Sequence, residues 1–459
     1  MYPPRSRSRQ SKHTSKRRRR TAWIWINASL LLLITAALSY YFISSNGSEG
    51  SASPPQQGEA LVSPSPDPTL APTAVPTPEA TATPEPSVPV EAPEISPSPL
   101  MDGTPTEALE TEPPAAPTEA PVSDIDSSQG SGVASGLSEE DAAGSTVTLN
   151  FAGDAIFSGK VGELLDKKGY SYSYAGLNGL FKQDDLTVLN LETPITTRGM
   201  AANKQYVFKG APEALDALKA AGVDAVNLAN NHTLDQGVQG LEDTLSNLSE
   251  RGIPYVGAGL TSKEAYSAQY FERNGIKIAV LGFTRVIPQS DWMAGMRSPG
   301  VASVYDSAEG LKAIAQAKKS ADMVVVVVHW GKERVEQYDS VQQSLGRSFI
   351  DAGADLVIGG HPHVLQGIEP YKGKWIAYST GNFIFTRSTV PATWETAIFQ
   401  AECTKKGQCS LQLKPMDAEL AQSVPMNEVD GQLLLKRLES LSAGLITIGS
   451  DGKVKQVNR

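Results

Sequence analysis

Cysteine is nearly missing from this chain. Two in 459 residues leave no disulfide framework, so the core must be ordinary hydrophobic packing. Positive charge is in deficit. The formal net charge is −10, and an acidic chain is a poor partner for nucleic acid, whose phosphates attract basic surfaces. Histidine is scarce too, with five. Large apolar and aromatic residues are almost absent between Asn46 and Gly144, as in "SPSPDPTLAPTAVPTPEATATPEPSVPVEAP". Such a segment cannot bury enough surface to offset chain entropy, so residues 46–144 are expected to be a disordered or polyproline II-like spacer. The 31 prolines concentrate in the first third, which leaves one sizeable globular region where the length alone would allow two or three domains.

The N-terminus sets an address. Arg5, Arg7, Arg9, Lys12 and the run Lys16–Arg20 make residues 1–21 a basic arm. From Ala22 to Ile43 no residue is charged, and about 20 apolar residues are what a helix needs to cross a bilayer. Trp23 and Trp25 at one end, and Tyr40 and Tyr41 at the other, suit the two interfaces. The basic flank stays cytoplasmic under the positive-inside rule. The expectation is therefore a single-pass protein of the cell membrane with its C-terminal domain extracellular. The alternative is a cleaved signal peptide; the length of the stretch and the lack of a small-x-small site after it favour an uncleaved signal anchor. At about 3.1 Å per residue in polyproline II, roughly 100 spacer residues would hold a domain well clear of the membrane, for example across a thick cell wall.

The globular part begins near Thr146. "TVTLNFAGD", "LTVLNLE", "VDAVNLAN", "MVVVVVHW", "DLVIGGH" and "WIAYSTGN" read as strands. "APEALDALKAAG", "VQGLEDTLSNLSERG", "AEGLKAIAQAKKS" and "VQQSLGRSFIDAG" read as helices, the first two closed by Gly222 and Gly252. "YFERNGIKIAVLGF" carries an Asn-Gly hairpin turn. Strand and helix alternate, which makes residues 146–425 an α/β domain with much of its sheet buried. Residues 426–459 read as a C-terminal tail with a helix over 428–441.

All four histidines of the domain, His232, His329, His361 and His363, fall at strand ends or in the loop just after. Strand C-termini are where open α/β sheets build their sites. Asp154, Asn190, Glu192, Asn230, Asn231 and Asn382 fall at such ends as well. Carboxylate, amide and imidazole groups gathered from several strands are what a divalent metal site requires, with carboxylates able to bridge two ions. Glycines beside them (Gly153, Gly359, Gly360, Gly381) permit close backbone approach.

The ordered set "GD" (153–154), "NLETPIT" (190–196), "YVFKGAPE" (206–213), "LANNHTLDQG" (228–237), "VVVHWGKE" (326–333), "GADLVIGGHPHVLQG" (353–367) and "YSTGNFIF" (378–385) resembles the CapA family of poly-γ-glutamate capsule synthesis proteins, related in fold to calcineurin-like metallophosphoesterases. The resemblance covers about residues 146–415. It implies a four-layer αββα sandwich, two sheets with helices outside. It implies a site of one or two divalent ions (manganese, zinc or iron) in which Asp154 and His363 serve a first metal and Asn231, His329 and His361 a second. Glu192 would stand where a bridging aspartate is usual, and His232 would protonate a leaving group or hold a phosphate oxygen. The chain departs from the wider pattern in three places. Ile156 occupies the position of a usual histidine ligand, the bridging aspartate is Glu192, and the glycine before the Asn-His pair is Asn230.

The implied role is synthesis, release or anchoring of an anionic surface polymer such as poly-γ-glutamate, through a metal-dependent hydrolase or transferase site. The alternative is a non-catalytic polymer-binding subunit, or scaffold, of a membrane capsule synthase. The implied partners are the membrane, the polymer and synthase subunits. Asn230, Lys209, Arg285 and Asn382 are candidates for substrate contacts, since an anionic substrate calls for cations and amides beside the metals. Asn382 could equally cap a turn. Lys204 reads as a solvated surface residue, and Asp235 as the N-cap of the helix that follows. Cys403 and Cys409 flank "TKKGQ" at a hairpin tip, where an oxidising compartment favours a disulfide over two free thiols.

Overall fold

The run Met323–Val328 shows why this chain folds in layers. Successive side chains of a strand point to opposite faces. Met323, Val325 and Val327 enter a core between two sheets, while Val324, Val326 and Val328 enter a second core beneath helices. A run that is apolar at every position has no face to give to water.

The computed structural model describes residues 144–458. The basic arm, the stretch 22–43 and the spacer to residue 143 lie outside the described residues. Among the described residues no helix is long and apolar enough to cross a membrane.

The larger sheet has ten strands. Its parallel half runs Thr146–Ala155, Leu186–Leu191, Ala225–Asn227 and Tyr255–Val256 in spatial order, with Asn382–Ile384 paired to the first of these. Its antiparallel half adds Glu395–Thr404 and Cys409–Glu419. The second sheet has six strands, of which Ile276–Thr284, Met323–His329, Leu356–Gly360 and Lys374–Ala377 are parallel. The core between the sheets takes Leu149, Phe151 and Val188 from one, and Ile278, Val325 and Ile358 from the other. The helices Glu213–Ala221 and Gly237–Glu250 cover the larger sheet through Leu215, Leu218, Leu241 and Leu245. Ala308–Lys318 and Ser340–Asp351 cover the second sheet through Ile314, Ala317, Leu345 and Phe349. The last of these is fixed at its start by a capping box between Asp339 and Gln342.

Several expectations of detail shift. Residues 426–459 complete the domain. Helix Glu428–Leu441 sends Leu434, Leu435 and Leu438 into the core between the sheets, and strands Ile446–Ile448 and Lys453–Gln456 lengthen the larger sheet. An apolar stripe at helical spacing must be buried somewhere, and the core is where it goes. "WIAYSTGN" divides into Lys374–Ala377 and Asn382–Ile384, which join different sheets. Lys374–Ala377 also closes a hairpin with Ile368–Tyr371 through Lys372 and Gly373, both at positive φ (49° and 72°). The Asn-Gly turn has Asn274 and Gly275 at φ 51° and 75°. Cys403 and Cys409 are cross-strand partners, buried and joined by a disulfide.

Candidate metal centre

The parallel strands of both sheets end at one place. In the larger sheet Asp154 is level with Asn190 on one neighbour and with Asn382 on the other. In the second sheet Gly360 is level with His329, and the chain then turns through His361 and His363. That turn is sharp: His361 and His363 have φ of 94° and 57°. Left-handed backbone is uncommon at non-glycine residues, and here it occurs twice within three residues. Gly153 permits the approach of its neighbour strand, since a Cβ there would lie 2.0 Å from the Gly381 carbonyl oxygen.

Glu192 sits at the centre. It is fully buried, and neither carboxylate oxygen has a hydrogen-bond partner. Imidazole nitrogens surround it instead: His329 Nε2 at 3.5 Å, and His232 Nε2 and His363 Nε2 each at 3.9 Å from Oε1. Glu192, His361 and His363 each present a ligand atom within 4.8 Å of the other two. A buried carboxylate with both oxygens orphaned is anomalous in a native fold. Ringed by nitrogen donors, it fits a divalent ion.

The neighbours are held in place by a continuous polar network. Asp154 Oδ1 accepts from the Asn190 amide at 2.8 Å, and Oδ2 lies 3.2 Å from His363 Nδ1. Burial opposes ionisation of Asp154, but His363, His329 and Asn190 outweigh it and hold the carboxyl below its ordinary range. Burial would likewise lower the His363 imidazole; Glu192 and Asp154 prevail and hold it up at about 9. His361, buried with His329, His363 and His232 around it, is pushed well below the ordinary histidine range. His329 Nε2 lies 2.7 Å from Asn231 Oδ1 and 3.1 Å from His361 Nδ1. Two imidazole nitrogens and an amide oxygen thus converge on one point, as ligands of a shared ion do.

His232 stands apart from that cluster in its attachments. Its Nδ1 lies 2.6 Å from Asp235 Oδ2, and its ring stacks on Phe208 with centroids 4.1 Å apart. Asp235 occupies the Nδ1 side, which leaves Nε2 for a ligand. A groove of about 350 Å³ opens here, lined by His232, His363, Ile156, Phe208, Phe385 and Arg334 among others.

The family model described as "Bacterial capsule synthesis protein PGA_cap" matches residues 148–387, a span that contains every residue of this centre. The chain belongs to the bacterial capsule synthesis protein family. Its relatives include the PGA biosynthesis protein CapA of Bacillus subtilis (strain 168), 34% identical over 61% of this chain and 74% of that one. The capsule biosynthesis protein CapA of Bacillus anthracis is 31% identical over 67% of this chain and 77% of that one. Among solved structures, the sulfate thiohydrolase SoxB of Thermus thermophilus is 14% identical with a TM-score of 0.34, over 65% of this chain and 61% of that chain. Likeness at this level is too slight to bear on the site.

Within this capsule-family chain, Asp154, Glu192, Asn231, His232, His329, His361 and His363 come together. The residues expected to touch substrate largely do not face it. Asn230 is fully buried: its amide nitrogen donates to Asn190 Oδ1 and the Leu191 carbonyl, and its oxygen accepts from the His232 N–H. Asn382 is fully buried too, its Oδ1 3.0 Å from His363 Nδ1 and its nitrogen donating to the carbonyls of His363 and Thr393. It positions His363. Lys209 is exposed and outside the groove lining, and Arg285 lines a different cavity.

The cap reading of Asp235 and the surface reading of Lys204 both fail. Helix Gly237–Glu250 has Gln236 at its N-cap, without a side-chain cap. Asp235 instead holds His232, accepts from the Phe208 N–H at 2.6 Å and pairs with Lys204 Nζ at 2.6 Å. Lys204 is largely buried, donates to the Asn231 carbonyl at 2.6 Å and lies over Trp292. Burial lowers its ammonium, against the pull of Asp235. Phe208 lies within "YVFKGAPE" and Lys204 just before it, but no periodicity marks either as a partner of His232; only folding back of the 196–210 segment does.

Proposed function

We propose that this chain acts outside the cell in making, releasing or anchoring an anionic surface polymer such as poly-γ-glutamate, through a divalent-metal site of the metallophosphoesterase type that hydrolyses or transfers a phosphate, or a related ester or amide. The observation that carries the reading is the orphaned Glu192 carboxylate, ringed by imidazoles on the ends of two sheets. Asp154, Glu192 and His363 would hold one ion, and Glu192, Asn231, His329 and His361 another. When bound, such ions supply Lewis acidity and lower the pKa of water.

The rest is the work of this chain's own side chains. Asp235 holds His232 Nδ1 and Phe208 fixes the ring plane, so Nε2 can give a proton to a leaving atom in the groove. Lys204 neutralises Asp235 and keeps it in position. Asn190 and Asn382 fix Asp154 and His363, as outer partners of metal ligands do. Phe208, Phe385 and Ile156 exclude water from one wall of the groove. The stretch 22–43 would anchor the domain and 46–144 would space it from the membrane. Membrane synthase subunits would be its neighbours there.

A second reading is a polymer-binding subunit without turnover. Ile156 favours it, because it lines the groove where the wider pattern has a ligand, leaving the Asp154 ion one group short. The deciding experiment measures metal content by mass spectrometry and turnover of a generic phosphodiester with manganese, for wild type, His232→Ala and His361→Ala/His363→Ala. Hydrolase action requires bound metal, loss of metal in the double variant and turnover above the His232→Ala level. Metal without turnover supports the binding subunit. A wild type that takes up no manganese, zinc or iron overturns both.

A further inference from the structure

Arg285 is tied to the metal centre but does not enter it. Its backbone N–H donates to the His329 carbonyl at 2.8 Å. Its side chain lines a separate cavity of about 200 Å³ with Tyr305, Trp330, Lys332, Asp339 and Gln342. The guanidinium lies over the Tyr305 ring, 4.1 Å from its centroid. Its Nη1 is buried and has no hydrogen-bond partner. Buried donors are almost always paired in native proteins, so this one points to an acceptor supplied from outside.

Two neighbours at the helix start spend their polar atoms on one another and on the backbone. Asp339 Oδ1 accepts from the backbone N–H groups of Val341 and Gln342 at the helix start. Gln342 accepts from the Asp339 N–H and donates to Gln366. Lys332, exposed, adds a second cation to the lining. A guanidinium presents two parallel N–H groups that match a carboxylate. The Asp339 carboxylate in the same wall disfavours a dianion, which tells against phosphate.

We propose that this cavity binds one carboxylate of a polyanionic chain while another part of that chain lies at the metal centre. His329 belongs to the centre and Trp330, the first residue beyond the strand Met323–His329, to the cavity, so the two places are neighbours along the chain. Engaging both places takes a ligand with carboxylates at intervals; a single small acid fills only one. The proposal rests on the polymer reading above for the rest of the ligand, but not on turnover.

The test is calorimetric binding of a short γ-linked glutamate oligomer to the full-length chain with manganese, for wild type, Arg285→Gln and Arg285→Lys. A hydrogen bond to a charged group is strong enough that Arg285→Gln is expected to weaken binding about tenfold or more, with Arg285→Lys in between. The melting temperature without ligand and the metal content should stay at wild-type values. If Arg285→Gln melts lower, Tyr305→Leu at a half-exposed side chain replaces it and should weaken binding severalfold. No binding by wild type, equal affinity in the variants, or competition by inorganic phosphate as effective as by glutarate each overturn the proposal. Because binding is read without turnover, a chain that binds the oligomer through Arg285 but hydrolyses nothing would sink the hydrolase and leave this subsite standing.

Discussion

Replace Glu192 by glutamine, and the metal-free and metal-loaded proteins should respond in opposite directions. Without metal, the buried cluster sets two acidic side chains, Asp154 and Glu192, beside His363, whose imidazole is held up at about 9. Glutamine removes the acid at 192 and leaves Asp154 paired with His363 at 3.2 Å. Both Glu192 oxygens are orphaned, and an unsatisfied buried group costs about 1–3 kcal/mol, more when it is charged, so a neutral amide in the same place carries the smaller penalty. Attraction to His363 returns part of that, so a net gain of about 1–2 kcal/mol is expected for the variant in chelator. At roughly 2–4 °C per kcal/mol for a large domain, that is a rise of about 2–8 °C. With metal the order reverses. An ion at a hundred times its dissociation constant stabilises wild type by about 2.7 kcal/mol, and a neutral amide, lacking the negative charge of a carboxylate, holds the ion less tightly. The assay is scanning calorimetry of both proteins in chelator and in excess manganese. Wild type should gain several degrees from the ion, and Glu192→Gln should gain little. A variant that melts lower than wild type in chelator, and gains as much from manganese, would refute the reasoning, for Glu192 would then be a structural acid and not a ligand.

Other expectations follow the same logic. Asn382→Ala removes the group that fixes His363 and should weaken metal affinity about 10- to 100-fold with little change in fold, read by competition with a chelating dye. Burial raises the Asp184 carboxyl from 3.8 to about 6. The folded state therefore holds this proton more tightly than the unfolded one, and its contribution is full below about pH 4 and lost as pH rises through about 6. Asp184→Asn should match wild type in acid and melt higher at pH 7.5; equal melting across that range would contradict it. Reducing Cys403–Cys409, which are six residues apart, should lower stability by about 2 kcal/mol on a chain-entropy estimate, seen as a few degrees between oxidised and reduced melting curves.

The candidate metal residues were legible because chemistry and periodicity coincide in them. Histidine is rare here, and an apolar run ending in a histidine has an obvious direction: "MVVVVVHW" is a buried strand whose last residue emerges at the sheet edge. The outer partners were not legible. Asn230 and Asn382 look like polar loop residues open to substrate, yet each spends its amide on the groups beside it. Asp235 precedes a helix, which is the pattern of a cap, yet its carboxylate is drawn to His232 and Lys204. In both cases the competing partner comes from a distant part of the chain. The tail shows the same limit: its apolar stripe indicates burial without indicating against what.

The sequence by itself determined the α/β character, the family and the set of polar strand-end residues that the fold brings together, because each is written in local pattern and residue type. Tertiary structure decided which oxygens and nitrogens meet. It left the Glu192 carboxylate without a hydrogen bond, turned His361 and His363 through left-handed backbone, and set Asp235 and Phe208 around His232. It also carried Arg285 away from the centre to a cavity of its own. Those outcomes depend on how two sheets pack face to face, and a contact between strand ends from different sheets has no signature in the spacing of either strand.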